Sequence, residues 1–157
     1  MNPKIVSQRK ARALGESFRR KKRRLVFTNG CFDVIHLGHV RYLRAARKLG
    51  DALIVGLNTD ASVRRLKGPS RPVNPEQHRA EVLAALEMVD YVVLFSEETP
   101  ERLIRTVLPA VLVKGSDYGH GEIVGEAIVK EHGGTVRRIR LEKGLSTTNI
   151  VKKIQRI

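Results

Sequence analysis

The chain has 157 residues, 41% of them hydrophobic and 29% charged, which is enough for one packed domain. No apolar run reaches the ~18–20 residues of a membrane span, and the opening MNPKIVSQRK lacks the apolar core of a secretory signal. The single Cys31 excludes an internal disulfide framework and suits a reducing compartment, so a cytoplasmic location is expected.

Thirty Lys and Arg against sixteen Asp and Glu give a net charge of +14, which points to anionic partners. Part of the excess is local, in the unbroken run Arg19-Arg20-Lys21-Lys22-Arg23-Arg24. That run reads either as a phosphate or nucleic-acid patch or as a solvated helix end whose cations suit the helix dipole. Four Phe, three Tyr and no Trp argue against stacking platforms for single strands.

In chain order, Ser7 is placed to cap a basic helix over about 7–22. A strand at Leu25–Asn29 follows, then a helix at 37–49 with Leu37, Val40, Leu43, Ala46 and Leu49 on one face. Gly50-Asp51 ends it before a fully apolar strand, Ala52–Leu57. A short helix at 60–66 leads into the loop Lys67-Gly68-Pro69-Ser70-Arg71-Pro72. Pro75-Glu76 opens a helix to about 88. Then come a strand at 91–95, a helix at 100–107, a strand at 110–114, a helix near 122–132, a strand at 135–140 and a last helix from 146. Residues 1–24 are set off as a basic helical segment ahead of the main domain, 25–157. Strands that alternate with helices and are apolar throughout predict a doubly wound parallel α/β sheet with helices on both faces. Ligands of such sheets lie beyond the carboxyl ends of the strands, so the loops 29–36, 58–60, 67–72, 96–99, 114–121 and 141–146 carry the candidate residues.

The first of these loops contains His36-Leu37-Gly38-His39, at the predicted start of a helix. Unpaired N–H groups and the dipole favour an anion there, and residues three apart share a helix face. Gly38, without a side chain, lets a flat group approach the backbone. Phosphate binding, a metal site and simple helix capping all use such a pair, although no further His, Cys or carboxylate at a metal-ligand spacing completes a metal set. No G-x-x-x-x-G-K-[ST] is present, which excludes a P-loop enzyme. The glycines from Gly119 to Gly125 mimic a dinucleotide fingerprint with a spacing one residue too long, and read as a loop. Near the other end, Gly144 and then Ser146, Thr147 and Thr148 precede Ile150, Val151, Ile154 and Ile157. Alone this cluster is a helix cap; beside the histidine loop it makes a polyphosphate cradle.

With H-x-G-H after "TNGCFD" and the late "GLSTTNI", the sequence resembles the cytidylyltransferase-like nucleotidyltransferases. Within that group, "FTNGCFDVIHLGH", "LNTDASVRRLKGPSRPVNP", "VLVKGSDY" and "STTNIVKKI" resemble the bacterial D-glycero-β-D-manno-heptose 1-phosphate adenylyltransferases, over about residues 25–155. In many bacteria that activity is fused to a sugar kinase domain; none is present in these residues, so the likeness is to the stand-alone form. The resemblance implies a reaction of ATP with heptose 1-phosphate to give ADP-heptose and pyrophosphate, feeding lipopolysaccharide core synthesis. It implies that His36 and His39 hold the triphosphate, with Lys67 on phosphate in the transition state. It gives Gly38 to the base, backbone contacts to Cys31 and Phe32, and the β- and γ-phosphates to Ser146, Thr147 and Thr148. Asp33 and Arg71 are candidates for the sugar phosphate, Lys114, Gly115 and Asp117 border the nucleotide, and Mg²⁺ is held mainly by phosphate oxygens.

Plainer roles stand beside these. Cys31 reads as a small buried residue rather than a nucleophile, Asp33 as a cap of the 37–49 helix, Asp117 as a turn residue. Relatives that use CTP for glycerol phosphate carry an arginine where this chain has Leu141, with Arg140 one residue earlier. The expected partners are ATP and a sugar 1-phosphate, with neither a membrane nor nucleic acid expected, and a homo-oligomer is compatible with the sequence. A cytidylyltransferase acting on another small phosphorylated alcohol is the alternative, and a basic nucleic-acid-binding protein with this fold is the third reading.

Overall fold

In the computed structural model, residues 1–116, 121 and 123–157 are described. The elements run β1 (Ile5–Val6), α1 (Gln8–Arg20), β2 (Leu25–Gly30), α2 (Leu37–Arg47), β3 (Ala52–Asn58), α3 (Asp60–Lys67), α4 (Glu76–Ala85), β4 (Tyr91–Phe95), α5 (Glu101–Val107), β5 (Val111–Gly115), α6 (Glu126–Glu131), β6 (Thr135–Ile139) and α7 (Thr147–Gln155). All strand pairs are parallel, in the order β1-β4-β3-β2-β5-β6. The chain winds outward from β2 to β3 and β4, then returns to the other side of β2 for β5 and β6. The reversal opens a crevice between the carboxyl ends of β2 and β5, where doubly wound sheets bind their ligands.

Strand periodicity builds the two halves of the core. Leu25 and Phe27 of β2, with Ala52 and Ile54 of β3, face α1, α5 and α6, where Phe18, Leu103, Ile104, Val107 and Ile128 cover them. Val26, Leu53, Val55 and Leu57 point the opposite way, onto Leu43 and Ala46 of α2 and Ala80, Leu83 and Ala84 of α4. Sheets covered on both faces have no room for polar alternation, which is why β3 is buried at all seven positions. At the switch point the buried Thr28 hydroxyl donates to the Val113 carbonyl (3.1 Å) and meets the Tyr42 hydroxyl at 2.8 Å, fastening α2 across β2 and β5.

Several boundaries differ from the sequence expectation. The strand Ile5–Val6 was not anticipated; two residues carry no periodicity, and what holds them is pairing with Val92 and Val93. Residues 1–24 thus add a strand to the common sheet, and Ala11 and Phe18 to its core. Helix α4 stops at Ala85 because Leu86 turns extended. Helix α6 begins at Glu126, after a left-handed Gly125 (φ 87°), not near 122; residue 122 itself lies outside the described set, as does much of the Gly119–Gly125 stretch. Leu37, expected on the apolar face of α2, is exposed, and the buried residues of that helix are Leu43 and Ala46 in its second half.

Helix α1 lies unusually close to α5. A Cβ on Gly15 would sit 2.0 Å from the Val107 carbonyl oxygen, and Arg19 Nη1 donates to the carbonyls of Val107 and Leu108 (2.7 and 3.0 Å), closing the left-handed end of α5. In a free helix, Gly→Ala gains about 1 kcal/mol. Here Gly15→Ala forces the two helices apart and is expected to lose about 1–3 kcal/mol in urea unfolding; a gain in stability would show that the close approach is not real.

Candidate active site

After β2 the chain turns sharply. Gly30 carries the ring of Phe32, which a Cβ at Gly30 would approach to 3.0 Å, and Phe32 itself is left-handed at φ 44°. Such a conformation is rare for a bulky side chain. It directs the buried Phe32 ring against His39, 5.2 Å between centroids. The next residues lead to His36, the N-cap of α2. Its Nδ1 accepts the Gly38 N–H at 3.1 Å, and His39 Nδ1 accepts the His36 N–H at 3.3 Å. The imidazoles stack with centroids 3.9 Å apart.

These bonds fix the chemistry of both rings. Burial pushes His36 below the ordinary histidine range. Burial, and then the nearby charges of His36 and Lys67, take His39 down to about 4. Both are neutral at physiological pH. A neutral imidazole whose Nδ1 accepts must carry its proton on Nε2, so each ring presents one N–H donor away from the backbone. The capping role and a ligand-binding role, set against each other at the sequence level, use opposite nitrogens of the same rings. Gly38 is packed between the His36 ring and Leu145: its Cβ would lie 2.8 Å from His36 Cε1 and 3.1 Å from Leu145 Cβ.

Leu145 belongs to the second candidate segment. Thr147 Oγ1 donates to the Val34 carbonyl (3.1 Å), and Arg41 of α2 pairs with Glu142 at 2.5 Å, so the β6–α7 loop is seated on the histidine loop. Ser146 caps α7 by accepting the Asn149 N–H at 3.1 Å. Of the three hydroxyls expected to cradle phosphate, Ser146 and Thr147 are therefore already engaged within the chain. Thr148 is exposed, and the turn before α7 meets the start of α2 through Leu145, whose Cβ lies over Gly38.

The third segment is the loop between α3 and α4. Asp33 reaches it from the histidine loop: its carboxylate accepts Arg71 Nε (2.8 Å) and the N–H groups of Val73 and Asn74 (2.9 Å each), while its carbonyl accepts Asn74 Nδ2. Burial alone would raise the Asp33 pKa, but the Asn74 and Val73 N–H groups and the Arg71 guanidinium outweigh it, and the net shift is downward. Asp33 is therefore the anchor of this loop; it does not cap α2, since His36 does. Arg71 Nη2 is buried and has no partner among the described residues. Lys67, at the end of α3, is exposed, and its charge is felt at both His39 and Cys31. Burial pushes the Cys31 thiol up against the lowering effect of Lys67 and Arg79, which leaves it protonated and inert. Lys114 and Gly115 close β5 beside β2, where buried Lys114 Nζ bonds Asn29 Oδ1. Asp117 lies outside the described residues.

The residue that holds these segments together was not singled out from the sequence. Arg79, on α4, is 1% exposed and donates four bonds: to the carbonyls of Asn74 (2.9 Å), Cys31 (2.7 Å) and Asn58 (2.8 Å), and to Asp60 Oδ1 (2.7 Å). A signal was present, because an arginine four residues before Leu83 falls on the stripe that α4 buries.

The doubly wound parallel sheet is of the Rossmann type, and its histidine loop lies at the switch point between β2 and β5. The family described as cytidylyltransferase-like matches residues 27–153, and the chain belongs to it. Among particular proteins, it is 54% identical over 151 residues to the bifunctional protein HldE of Syntrophotalea carbinolica, and 54% identical over 152 residues to that of Wolinella succinogenes. Those alignments take in 96% and 97% of this chain but 31% of each relative, so the chain spans about a third of their length. A solved structure, the lipopolysaccharide core biosynthesis protein of Thermoplasma volcanium, superposes with a TM-score of 0.63 at 31% identity, covering 77% of this chain and 98% of that one.

The depressed His39 pKa ties stability to pH. Between about 4 and the ordinary value of about 6.5 the unfolded chain binds a proton at this residue and the folded chain does not. The contribution is complete above about 6.5 and is lost as pH falls toward 4. Urea unfolding across that window should show an uptake approaching one proton for the wild type that is missing in His39→Gln. Identical pH slopes for the two proteins would contradict the neutral-ring assignment.

Proposed function

We propose that the chain is an adenylyltransferase that joins ATP and D-glycero-β-D-manno-heptose 1-phosphate to give ADP-heptose and pyrophosphate. The observation that carries this is the pair of stacked histidines whose Nδ1 atoms are occupied by backbone and whose Nε2–H groups are left to bind a ligand, at the N-terminus of α2 and beside that of α7. The heptose substrate is supported by the "KGPSRPVNP" and "VKGSDY" segments and by the similarity to the HldE proteins.

In this reading an oxygen of the anomeric phosphate attacks the α-phosphorus of ATP. The bond to the bridging oxygen breaks, and pyrophosphate leaves with that electron pair. No protein nucleophile is required, so the work is positioning and charge stabilisation. His36 and His39 donate from Nε2 to phosphoryl oxygens; neutral donors need not shed a proton when the product leaves. Thr148 and the free N–H groups of α7 receive the leaving phosphates, with Ser146 and Thr147 shaping that turn. Gly38 lets Leu145 close against the histidine turn, and the base lies beside that turn, with Phe32 and the Cys31 backbone behind it and Lys114 and Gly115 across the switch point. Lys67 supplies charge to the α-phosphate, and the unpartnered Arg71 Nη2 to the sugar phosphate, with Asp33 holding its other arm. The carboxylate of Asp33, on the histidine loop, is taken up by Arg71, Val73 and Asn74, so Mg²⁺ is placed on the triphosphate oxygens, where it would neutralise part of their charge.

Pyrophosphate release measured over four nucleoside triphosphates crossed with sugar and glycerol phosphates tests the reading. ATP with the heptose 1-phosphate is expected to be the productive pair, and turnover only with CTP would favour the alternative alcohol phosphate. His36→Asn separates the two uses of the ring. Asparagine still caps α2, so stability should stay within about 1 kcal/mol. The Nε2 donor is gone, so turnover should fall about 10²–10³-fold. Normal turnover in this variant would remove the histidines from the reaction.

A further inference from the structure

The positive charge of this chain is concentrated where the proposed reaction does not use it. Residues 1–24 contain ten Lys and Arg and one acid, Glu16, and six of the ten form the run Arg19–Arg24, every one of them exposed. That run bridges the end of α1 and the start of β2. Helix α2 ends in Arg44, Arg47 and Lys48 just before β3. Leu25 and Ala52, the first residues of β2 and β3, are register partners, so both clusters stand at the same, amino-terminal edge of the parallel sheet. They are fastened together there: the Arg24 N–H donates to Asp51 Oδ2 (2.6 Å), and the Asp51 N–H donates back to the Arg24 carbonyl (2.7 Å). Gly50 permits this contact, since its Cβ would lie 2.6 Å from that carbonyl oxygen. Of the nine cations, only Arg47 has an ion pair among the described residues, with Asp90 at 2.9 Å. Of the acids close to these cations, Asp51 accepts the Arg24 backbone N–H and Glu87 borders the depression beside Arg44 and Lys48.

Helix dipoles account for two or three cations at helix ends, not for nine on one pole. The substrate does not account for them either. Helix α2 has its first turn in the site and its last at this pole, roughly 16 Å apart at 1.5 Å per residue. That is about two Debye lengths at 0.15 M salt, so exposed charges here are largely screened from a ligand at His36.

We propose that this pole is a second, sequence-independent binding surface for the phosphate backbone of double-stranded nucleic acid. Six of the nine cations are arginines, whose forked donors match phosphate oxygens. With no aromatic side chain in residues 19–24 or 44–51, the surface cannot stack single-stranded bases, and a duplex backbone is read by charge alone. Among residues 19–24 and 44–51 no large apolar side chain is exposed, which leaves out the second anchor that stable membrane adsorption needs. The surface faces away from the site, so occupancy of one leaves the other open.

The test is fluorescence anisotropy with a labelled 20-base-pair duplex, over a salt series, beside vesicles of anionic phospholipid. The wild type should bind the duplex with a log–log salt slope of about −4 or steeper. The triple reversal Arg20→Glu/Lys21→Glu/Lys22→Glu, and independently Arg44→Glu/Lys48→Glu, should weaken binding at least about tenfold while heat stability and adenylyl transfer persist. The control Lys152→Glu/Lys153→Glu/Arg156→Glu changes net charge by as much as the triple reversal, on α7, and should weaken binding by less than about threefold. Equal losses in the pole and control variants, a flat salt dependence, or capture by vesicles but not by the duplex would overturn the proposal.

Discussion

A buried guanidinium organises this molecule. Arg79 is withdrawn from water on α4, and such a charge is tolerated only when its donors are met by well-placed acceptors. It meets them in four segments that share no secondary structure: the histidine loop at Cys31, the end of β3 at Asn58, the start of α3 at Asp60 and the loop before α4 at Asn74. Three of the four are main-chain carbonyls, so the side chain fixes backbone rather than other side chains. The fork supplies what a lysine could not, since one ammonium has no rigid geometry for four acceptors spread around it. Removing the guanidinium takes a partner from all four acceptors at once, three of them main-chain carbonyls.

From that fixed frame the site follows by short steps. Asn74, held by Arg79, returns two bonds to Asp33, and Asp33 holds Arg71 and Val73. The histidine loop is thereby tied on one side to the α3–α4 loop and on the other, through Val34 and Gly38, to the turn before α7. The two rings are then locked by backbone bonds on Nδ1. Preorganised donors in a partly dry site are effective because they need no reorientation as charge develops. Neutrality is part of the design: an imidazolium pair stacked at 3.9 Å would repel itself, and burial disfavours it further.

Much of the fold was legible because continuous apolar strands and helix caps leave direct marks. Ser7, Ser146 and the Pro75-Glu76 start all stand where the pattern put them. The edge strand Ile5–Val6 was not legible, since its existence depends on a neighbour 87 residues away at Val92. At the candidate site, the H-x-G-H spacing marks the start of α2, but not which nitrogen of each ring the backbone occupies; that depends on the bonds to Gly38 and His36. Residue type marks Asp33 and the Ser/Thr cluster as candidate ligand groups, but does not reveal that Asp33 also holds Val73 and Asn74, or that Ser146 and Thr147 also bond Asn149 and Val34. Arg79 belongs to no motif, so nothing in its residue type draws attention to it, although its helical phase with Leu83 points inward.

The charge distribution separates two tasks along one helix. The N-terminus of α2 carries the paired histidines and its C-terminus carries cations that the proposed chemistry does not need. What unites the account is the protonation state of the two rings, and ¹⁵N NMR of histidine-labelled protein reads it directly. With ATP bound at neutral pH, both His36 and His39 are expected to show protonated Nε2 and unprotonated Nδ1, with the Nε2 resonances moving on nucleotide binding. Protons on Nδ1, or two doubly protonated rings, would contradict it.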